Sequence, residues 1–270
     1  MAQLWQEIDY CVLTLPGTGW PKVMVKRSKT RKKSRRRRRS RRSRLVAFVL
    51  RSGLLMLLLS VLVTVLLVLP WRWINPPTTA YMWRAAQQSG TPNQQIWLPS
   101  RSLSPHIHAA VLAAEDQLFF HHNGFDVKQI KAALSTPGGP QRGASTITQQ
   151  VAKNLYLWPA QSYARKVIEA FLTLTIEGLW PKQRILEVYL NIAEFGPGIY
   201  GVGAAAESLL DTPAADLTAQ QAALLAAVLP SPRRLSARDP SPYVRQRARE
   251  IMQSVEQLRG TDYLVPVHAP

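Results

Sequence analysis

Residues 141–154 read Gln-Arg-Gly-Ala-Ser-Thr-Ile-Thr-Gln-Gln-Val-Ala-Lys-Asn, and Thr146 to Gln149 have the spacing of a capping box. In that device a threonine hydroxyl accepts the N–H of the third helical residue, whose amide side chain returns to the threonine N–H. A helix is expected from here to about Tyr156. Similar start signals recur on either side. Ser104-Pro105 opens a helix carrying Ile107, Val111, Leu112 and Leu118. Ser162 opens one with Val167, Phe171 and Leu174 on one face and Arg165, Lys166 and Glu169 on another. Pro181 leads into Ile185, Leu186, Tyr189 and Leu190. Thr218 with Gln221 caps a helix from Ala219 to about Leu229, and Ser241-Pro242 starts a last one that Gly260 ends. Period-2 alternation is scarce and no internal repeat is present, so the fold class is mostly α.

Upstream the composition changes. The net charge of +18 would alone point to nucleic acid or an anionic surface, but fourteen Lys or Arg fall between Lys26 and Arg44, leaving +4 for all other residues. The basic run adjoins Ser52–Leu69, eighteen residues without a charge. With flanking Leu45–Leu50 this stretch is long enough, at about 1.5 Å per residue, to cross a hydrocarbon core of about 30 Å. The charge asymmetry places the N-terminus in the cytoplasm, and Trp71 and Trp73 read as anchors at the far interface. Val68-Leu69-Pro70-Trp71 lacks a small-x-small cleavage site, so the span reads as a retained anchor. Topology signalling and anionic-lipid contact by residues 26–44 account for the arginines better than nucleic acid does. The expected organisation is a largely disordered basic segment over 1–44, an anchor over 45–73 and a catalytic domain over 74–270. Cys11 is the only cysteine, which excludes a disulfide framework and a cysteine metal site.

Three constellations carry chemistry. Glu115 and Asp116 close an apolar helix at the negative end of its dipole, ahead of Phe119, His122 and Gly124. A carboxylate disfavoured as an anion has the raised proton affinity that a general base needs near neutral pH. The plain alternative is a pair of solvated surface acids. Ser145, Thr146, Gln149, Gln150, Lys153 and Asn154 cluster at a helix start, where free N–H groups and the dipole favour a phosphate or pyrophosphate. A helix that merely caps itself explains Thr146 but not the density of polar residues. Arg165, Lys166 and Glu169 share a helix face, where an i,i+4 surface pair is the simplest account. All of them fall within residues 115–169.

In order the chain carries E-D-x-x-F-x-x-H-x-G-x-D, G-x-S-T-I-T-Q-Q-x-x-K-N, R-K-x-x-E and K-x-x-I-L-E-x-Y-L-N. Together these resemble the motifs of the peptidoglycan glycosyltransferase family over about residues 75–260, most closely its monofunctional biosynthetic transglycosylases. The resemblance implies a lysozyme-like helical fold with a larger lobe and a smaller membrane-proximal lobe, preceded by one transmembrane helix. It implies that Glu115 is the catalytic base and Glu169 a second essential carboxylate. It assigns Asp116, Phe119, His122, Gly124, Ser145, Thr146, Gln149, Gln150, Lys153, Asn154, Arg165 and Lys166 to the substrate site. The substrates it implies are lipid II and the nascent glycan strand, joined β-1,4 with release of undecaprenyl pyrophosphate. Other cell-wall synthesis proteins are implied as neighbours at the bacterial inner membrane, with the catalytic domain periplasmic. A divalent cation (Mg or Mn) at the pyrophosphate stays open, and no metal-ligand set is read from the residues. Two alternatives use the same residues: a lysozyme-like lytic enzyme, and an inactive cell-wall scaffold.

The chain departs from the family pattern at two places. Gln161 stands where many relatives carry arginine, and Leu209-Leu210 followed by Asp211-Thr212 replaces an aromatic pair and a basic residue. Tyr156, Leu157 and Trp158, ahead of Pro159, read either as an apolar tip that dips into the membrane or, equally, as a packed loop.

Overall fold

Helix α1 runs from Thr30 to Val68 and begins inside the basic run, earlier than the anchor start expected at Leu45. Arginine and lysine are good helix formers, so the helix continues back from the apolar stretch. The computed structural model describes residues 30–128, 131, 145–159 and 162–259, so Cys11 and the rest of 1–29 lie outside it, as do Gln161 and Gly260. Contacts group the chain into two units, 1–62 and 63–270. In the first, apolar side chains such as Leu50, Leu55 and Met56 are exposed along α1. The segment Arg44–Arg72 is long and apolar enough to cross a membrane.

The second unit is mostly helical, as the sequence predicts. After a 3-10 turn at Leu69–Arg72 come α2 (Ala80–Ser89), α3 (Pro105–Glu115), α4 (Ile147–Tyr156), α5 (Tyr163–Leu179), α6 (Lys182–Ile192), α7 (Gly201–Leu210), α8 (Ala219–Val228) and α9 (Pro242–Arg259). The capping boxes at Thr146/Gln149 and Thr218/Gln221 are both formed, and the side chains of Ser104 and Ser162 cap α3 and α5. Helices α3, α8 and α9 pack together, while α4 packs on α2, α5 and α6. Ile107, Val111, Ile147, Val151, Ile176, Ile185 and Leu225 are fully buried between them. Each such side chain contributes about 1.5–3 kcal/mol by leaving water.

A small three-stranded sheet, ordered β1-β3-β2, was not foreseen. It comprises β1 (Gln94–Gln95), β2 (Glu194–Gly196) and β3 (Ile199–Tyr200), with β1 parallel and β2 antiparallel to β3. The glycines after Glu194 serve this hairpin and its close approach to a helix. Gly201 has φ 79°, and a Cβ there would stand 2.7 Å from the Asn191 carbonyl oxygen. Buried Asn191 ties β1's continuation to α6, donating to Leu98 O (2.9 Å) and Glu187 O (2.8 Å) and accepting from Leu98 N (2.8 Å).

The structure decides two local expectations. Tyr156, Leu157 and Trp158 form the packed loop and not an exposed tip. Leu157 is 3% exposed, Tyr156 and Trp158 are half-buried against the core, and the Tyr156 hydroxyl donates to Leu67 O at 3.3 Å. The segment packs on the core, and the Tyr156 hydroxyl ties it to the last turn of α1. Helix α5 also buries the opposite face from an ordinary amphipathic helix. Glu169, Leu172, Thr173 and Ile176 are buried, while Tyr163 (95%), Val167 (70%) and Leu174 (56%) are exposed.

The end of α1 is held in a polar collar within the second unit. Trp180 Nε1 donates to Val68 O (3.1 Å), Arg72 to Leu179 O (2.6 Å), and Arg184 to Trp71 O (3.0 Å) and Ile74 O (2.9 Å). At the departures from the family pattern, Leu209 and Leu210 pack against the core and Asp211 ends α7 in the left-handed region at φ 49°. Aspartate is among the few residues that tolerate that conformation.

Candidate active site

Glu115 is the last residue of α3, and Asp116 is its cap. The two side chains part company there. Asp116 is 2% exposed and accepts from His122 Nε2 (2.9 Å) and from the N–H of Ile147 (3.0 Å), tying the end of α3 to the start of α4. The Gly124 N–H donates to His122 Nδ1 (3.1 Å), which leaves the ring proton on Nε2, facing Asp116. Gly124 has φ 85°, and a Cβ there would meet Thr173 Cγ2 at 2.8 Å, so this loop lies directly on α5. Thr146 Oγ1 closes the corner by donating to Gly124 O (2.7 Å).

Glu115 turns the other way. One oxygen, Oε2, accepts from Gln150 Nε2 at 2.6 Å, and Gln150 Oε1 accepts from the buried Tyr189 hydroxyl at 3.2 Å. That chain of donors fixes the amide orientation of Gln150. The other oxygen has no hydrogen-bond partner among the described residues. Burial pushes the Glu115 carboxyl above its ordinary range; the Gln150 bond and the charges of Arg247 and Lys153 oppose the shift, and Asp116 adds to it. The proton affinity expected from the helix dipole is thus present, with burial as its main cause.

Glu169 is 2% exposed and sits between two cations, accepting from Arg165 (2.8 Å) and Lys166 Nζ (2.5 Å) on separate oxygens. This is a buried, doubly paired carboxylate and not the surface pair that simple spacing describes. Lys153, seven residues into α4, is the link between the two carboxylates. Its ammonium is within electrostatic reach of Glu169 and Glu115 as well as of Arg165 and Lys166, and burial lowers its proton affinity. Its Nζ lies 5.6 Å from the centroid of the Tyr81 ring.

The site residues named from sequence divide into two groups. Glu115, Ser145, Gln150, Lys153, Asn154, Arg165 and Lys166 keep some exposure, whereas Asp116, Phe119, Gly124, Thr146, Gln149 and Glu169 are buried. His122 keeps little exposure, its side chain being 8% accessible and engaged with Asp116. Sequence reasoning missed the support behind them. Tyr189 read as core, yet its hydroxyl holds Gln150. Glu177 accepts from both Thr148 Oγ1 (2.5 Å) and Lys182 Nζ (2.8 Å), and Lys182 lies 4.4 Å from the Phe119 ring centroid. Tyr189 and Lys182 stand in the motif K-x-x-I-L-E-x-Y-L-N, which marked them without giving them a part, whereas Glu177 falls in no motif.

The described residues offer no preformed all-protein cage for a divalent ion. Among the described residues no three His, Cys, Asp or Glu side chains converge, and both oxygens of Glu169 are committed to cations.

A family profile described as Transglycosylase matches residues 83–256. A protein of Stutzerimonas stutzeri (strain A1501) called "Biosynthetic peptidoglycan transglycosylase" is 52% identical over 216 residues, covering 77% of this chain and 89% of its own length. Proteins of the same name from Xylella fastidiosa (strain 9a5c) and Ectopseudomonas mendocina (strain ymp) are 47% and 50% identical, each covering 79% of this chain and 91% of their own.

Proposed function

The chain belongs to the transglycosylase family, and from that membership we propose that Glu115 is the general base of a glycosyl transfer at the outer surface of the bacterial inner membrane. The protein is a peptidoglycan glycosyltransferase of cell-wall synthesis, with lipid II and the glycan strand as substrates. In the proposed reaction the free oxygen of Glu115 takes the proton from the 4-hydroxyl of the acceptor disaccharide. The hydroxyl oxygen forms a bond to the anomeric carbon of the donor strand as the bond to undecaprenyl pyrophosphate breaks. Attack opposite the leaving group inverts an α donor to a β-1,4 link, and no covalent enzyme intermediate is needed.

The observation that carries this reading is the environment of Glu115: largely buried, with raised proton affinity, oriented by Gln150, and with one oxygen unspent among the described residues. A departing diphosphate is stabilised by positioned cations, which is the part given to Lys153, Arg165 and Lys166. Glu169 orients the last two by its paired oxygens. Asp116, His122, Gly124, Thr146 and Gln149 hold the α3–α4 corner, and Ser145, Gln150 and Asn154 border the donor sugars.

Residues 74–270 form the catalytic domain in this reading, and the N-terminal helix is its anchor, with the basic run toward the cytoplasm against anionic lipid. The exposed apolar face of α5 is the part of the domain that meets lipid, supported by Tyr163, Val167 and Leu174 lying opposite the buried charges. Purified full-length protein given lipid II in detergent is expected to make long glycan, and Glu115→Gln to make less by about 100-fold or more. Soluble sugar released from purified sacculi, with no polymer formed, would instead identify a lytic enzyme.

A further inference from the structure

Tyr81 lies on α2, two residues ahead of the segment that matches the family profile. It is half-buried, and α2 packs on α4, which carries Lys153. The Lys153 ammonium lies 5.6 Å from its ring centroid, within the distance at which the ring quadrupole attracts a cation. Among the described residues no carboxylate comes within ion-pair distance of Lys153. Glu169 is taken by Arg165 and Lys166, and the one bonded oxygen of Glu115 is taken by Gln150. The ring is therefore the close counterpart of a mostly desolvated positive charge. A ring face attracts charge without accepting in a fixed hydrogen-bond geometry, so it leaves the N–H donors of the ammonium unspent, and none is taken by a side chain among the described residues.

We propose that Tyr81 is a positioning residue of the donor site, its ring face holding the Lys153 ammonium between Glu115 and Glu169 so that its donors meet the diphosphate of the lipid-linked sugar. This rests on the reading of Lys153 as a diphosphate ligand. A carboxylate in place of the ring would bind the ammonium more tightly and compete with the substrate. An aliphatic side chain would leave the charge unsupported in a buried site. Burial already lowers the proton affinity of Lys153, and the groups facing it are Glu115 from α3, Tyr81 from α2, and Arg165, Lys166 and Glu169 from α5. Helix α6, the remaining neighbour of α4, brings Tyr189 to Gln150.

The test compares wild type, Tyr81→Phe, Tyr81→Leu and Lys153→Met as full-length protein in detergent, with lipid II as substrate. Initial rates are measured from acid to alkaline pH, and thermal midpoints alongside. Tyr81→Leu is expected to lower kcat/KM by about 3- to 30-fold and to bring the alkaline limb to lower pH, because the charged form of Lys153 loses its support. Tyr81→Phe keeps the ring face and restores kcat/KM to within about twofold of wild type, with the alkaline limb in place. Equal losses in the Phe and Leu variants would assign the effect to the hydroxyl and overturn the proposal. A loss in Tyr81→Leu with an unmoved alkaline limb would reduce Tyr81 to packing and also overturn it. An inactive Lys153→Met beside a fully active Tyr81→Leu overturns the role of Tyr81 alone, whereas an active Lys153→Met removes the diphosphate reading of Lys153 itself.

Discussion

Glu115 and Asp116 share a helix end, yet one is held with an oxygen unspent while the other is spent entirely on His122 and the Ile147 amide. The consequence for Glu115 can be measured in stability as well as in rate. Its carboxyl has a folded proton affinity raised above the ordinary value of 4.5. Its favourable contribution is therefore fully present below that value and lost as pH rises through the folded one. Glu115→Gln is expected to lower polymerisation by about 100-fold or more, while raising the thermal midpoint at neutral pH. The gain in midpoint should vanish in acid, as a pH series of melting curves would record. Gln150→Leu removes a donor to the anion, so the acid limb of kcat/KM is expected to move to higher pH; a limb moving down or staying put would contradict the bond's role. The pair of carboxylates was legible in sequence because two acids closing an apolar helix are costly. Their different fates were not, because Asp116 is satisfied by a backbone group 31 residues further on.

Elements whose ends carry their own chemistry were the most readable. The hydroxyl and amide of Thr146 and Gln149, or of Thr218 and Gln221, are three residues apart and need nothing from the rest of the chain. Helix α5 was readable as amphipathic but not as to which face meets protein, since a pattern of apolar and charged positions does not say where water is. Spin labels at Val167→Cys and, as an aqueous control, Ser236→Cys, both with Cys11→Ser, test its orientation in reconstituted bilayers. The label at 167 is expected to be relaxed by membrane-dissolved oxygen and shielded from a water-soluble relaxant; the reverse pattern would remove α5 from the lipid. Asn191 on α6 makes the opposite kind of case, a buried polar side chain pinning an irregular strand. Asn191→Ala leaves the Leu98 N–H and carbonyl without their partner and is expected to cost about 2–3 kcal/mol in denaturant unfolding.

Across the whole molecule, the helical class and the apolar span followed from periodicity and length, which are properties of long segments. The sheet was invisible for the same reason. Strands of two or three residues display no period, and β1 reaches β3 across more than a hundred residues of chain. Between a tip and a packed loop at Tyr156–Trp158 the sequence could not choose, because the core that covers the segment and the Leu67 carbonyl that its tyrosine meets lie far off in the chain.

The grip on that helix end has a consequence for how the protein can be built. Trp180, Arg184 and Tyr156 take hold of main-chain carbonyl oxygens at Val68, Trp71, Ile74 and Leu67 and so act as a socket indifferent to the side chains there, while Arg72, downstream of the span, returns a bond to Leu179 O. Any apolar helix entering at Val63 would present the same oxygens. Exchanging residues 1–62 for an unrelated single-span segment is expected to leave polymerisation within about twofold, since the main-chain bonds that fix the join are unchanged. The span is thereby a replaceable part, and its own sequence is free to follow the thickness and charge of whatever membrane the host provides.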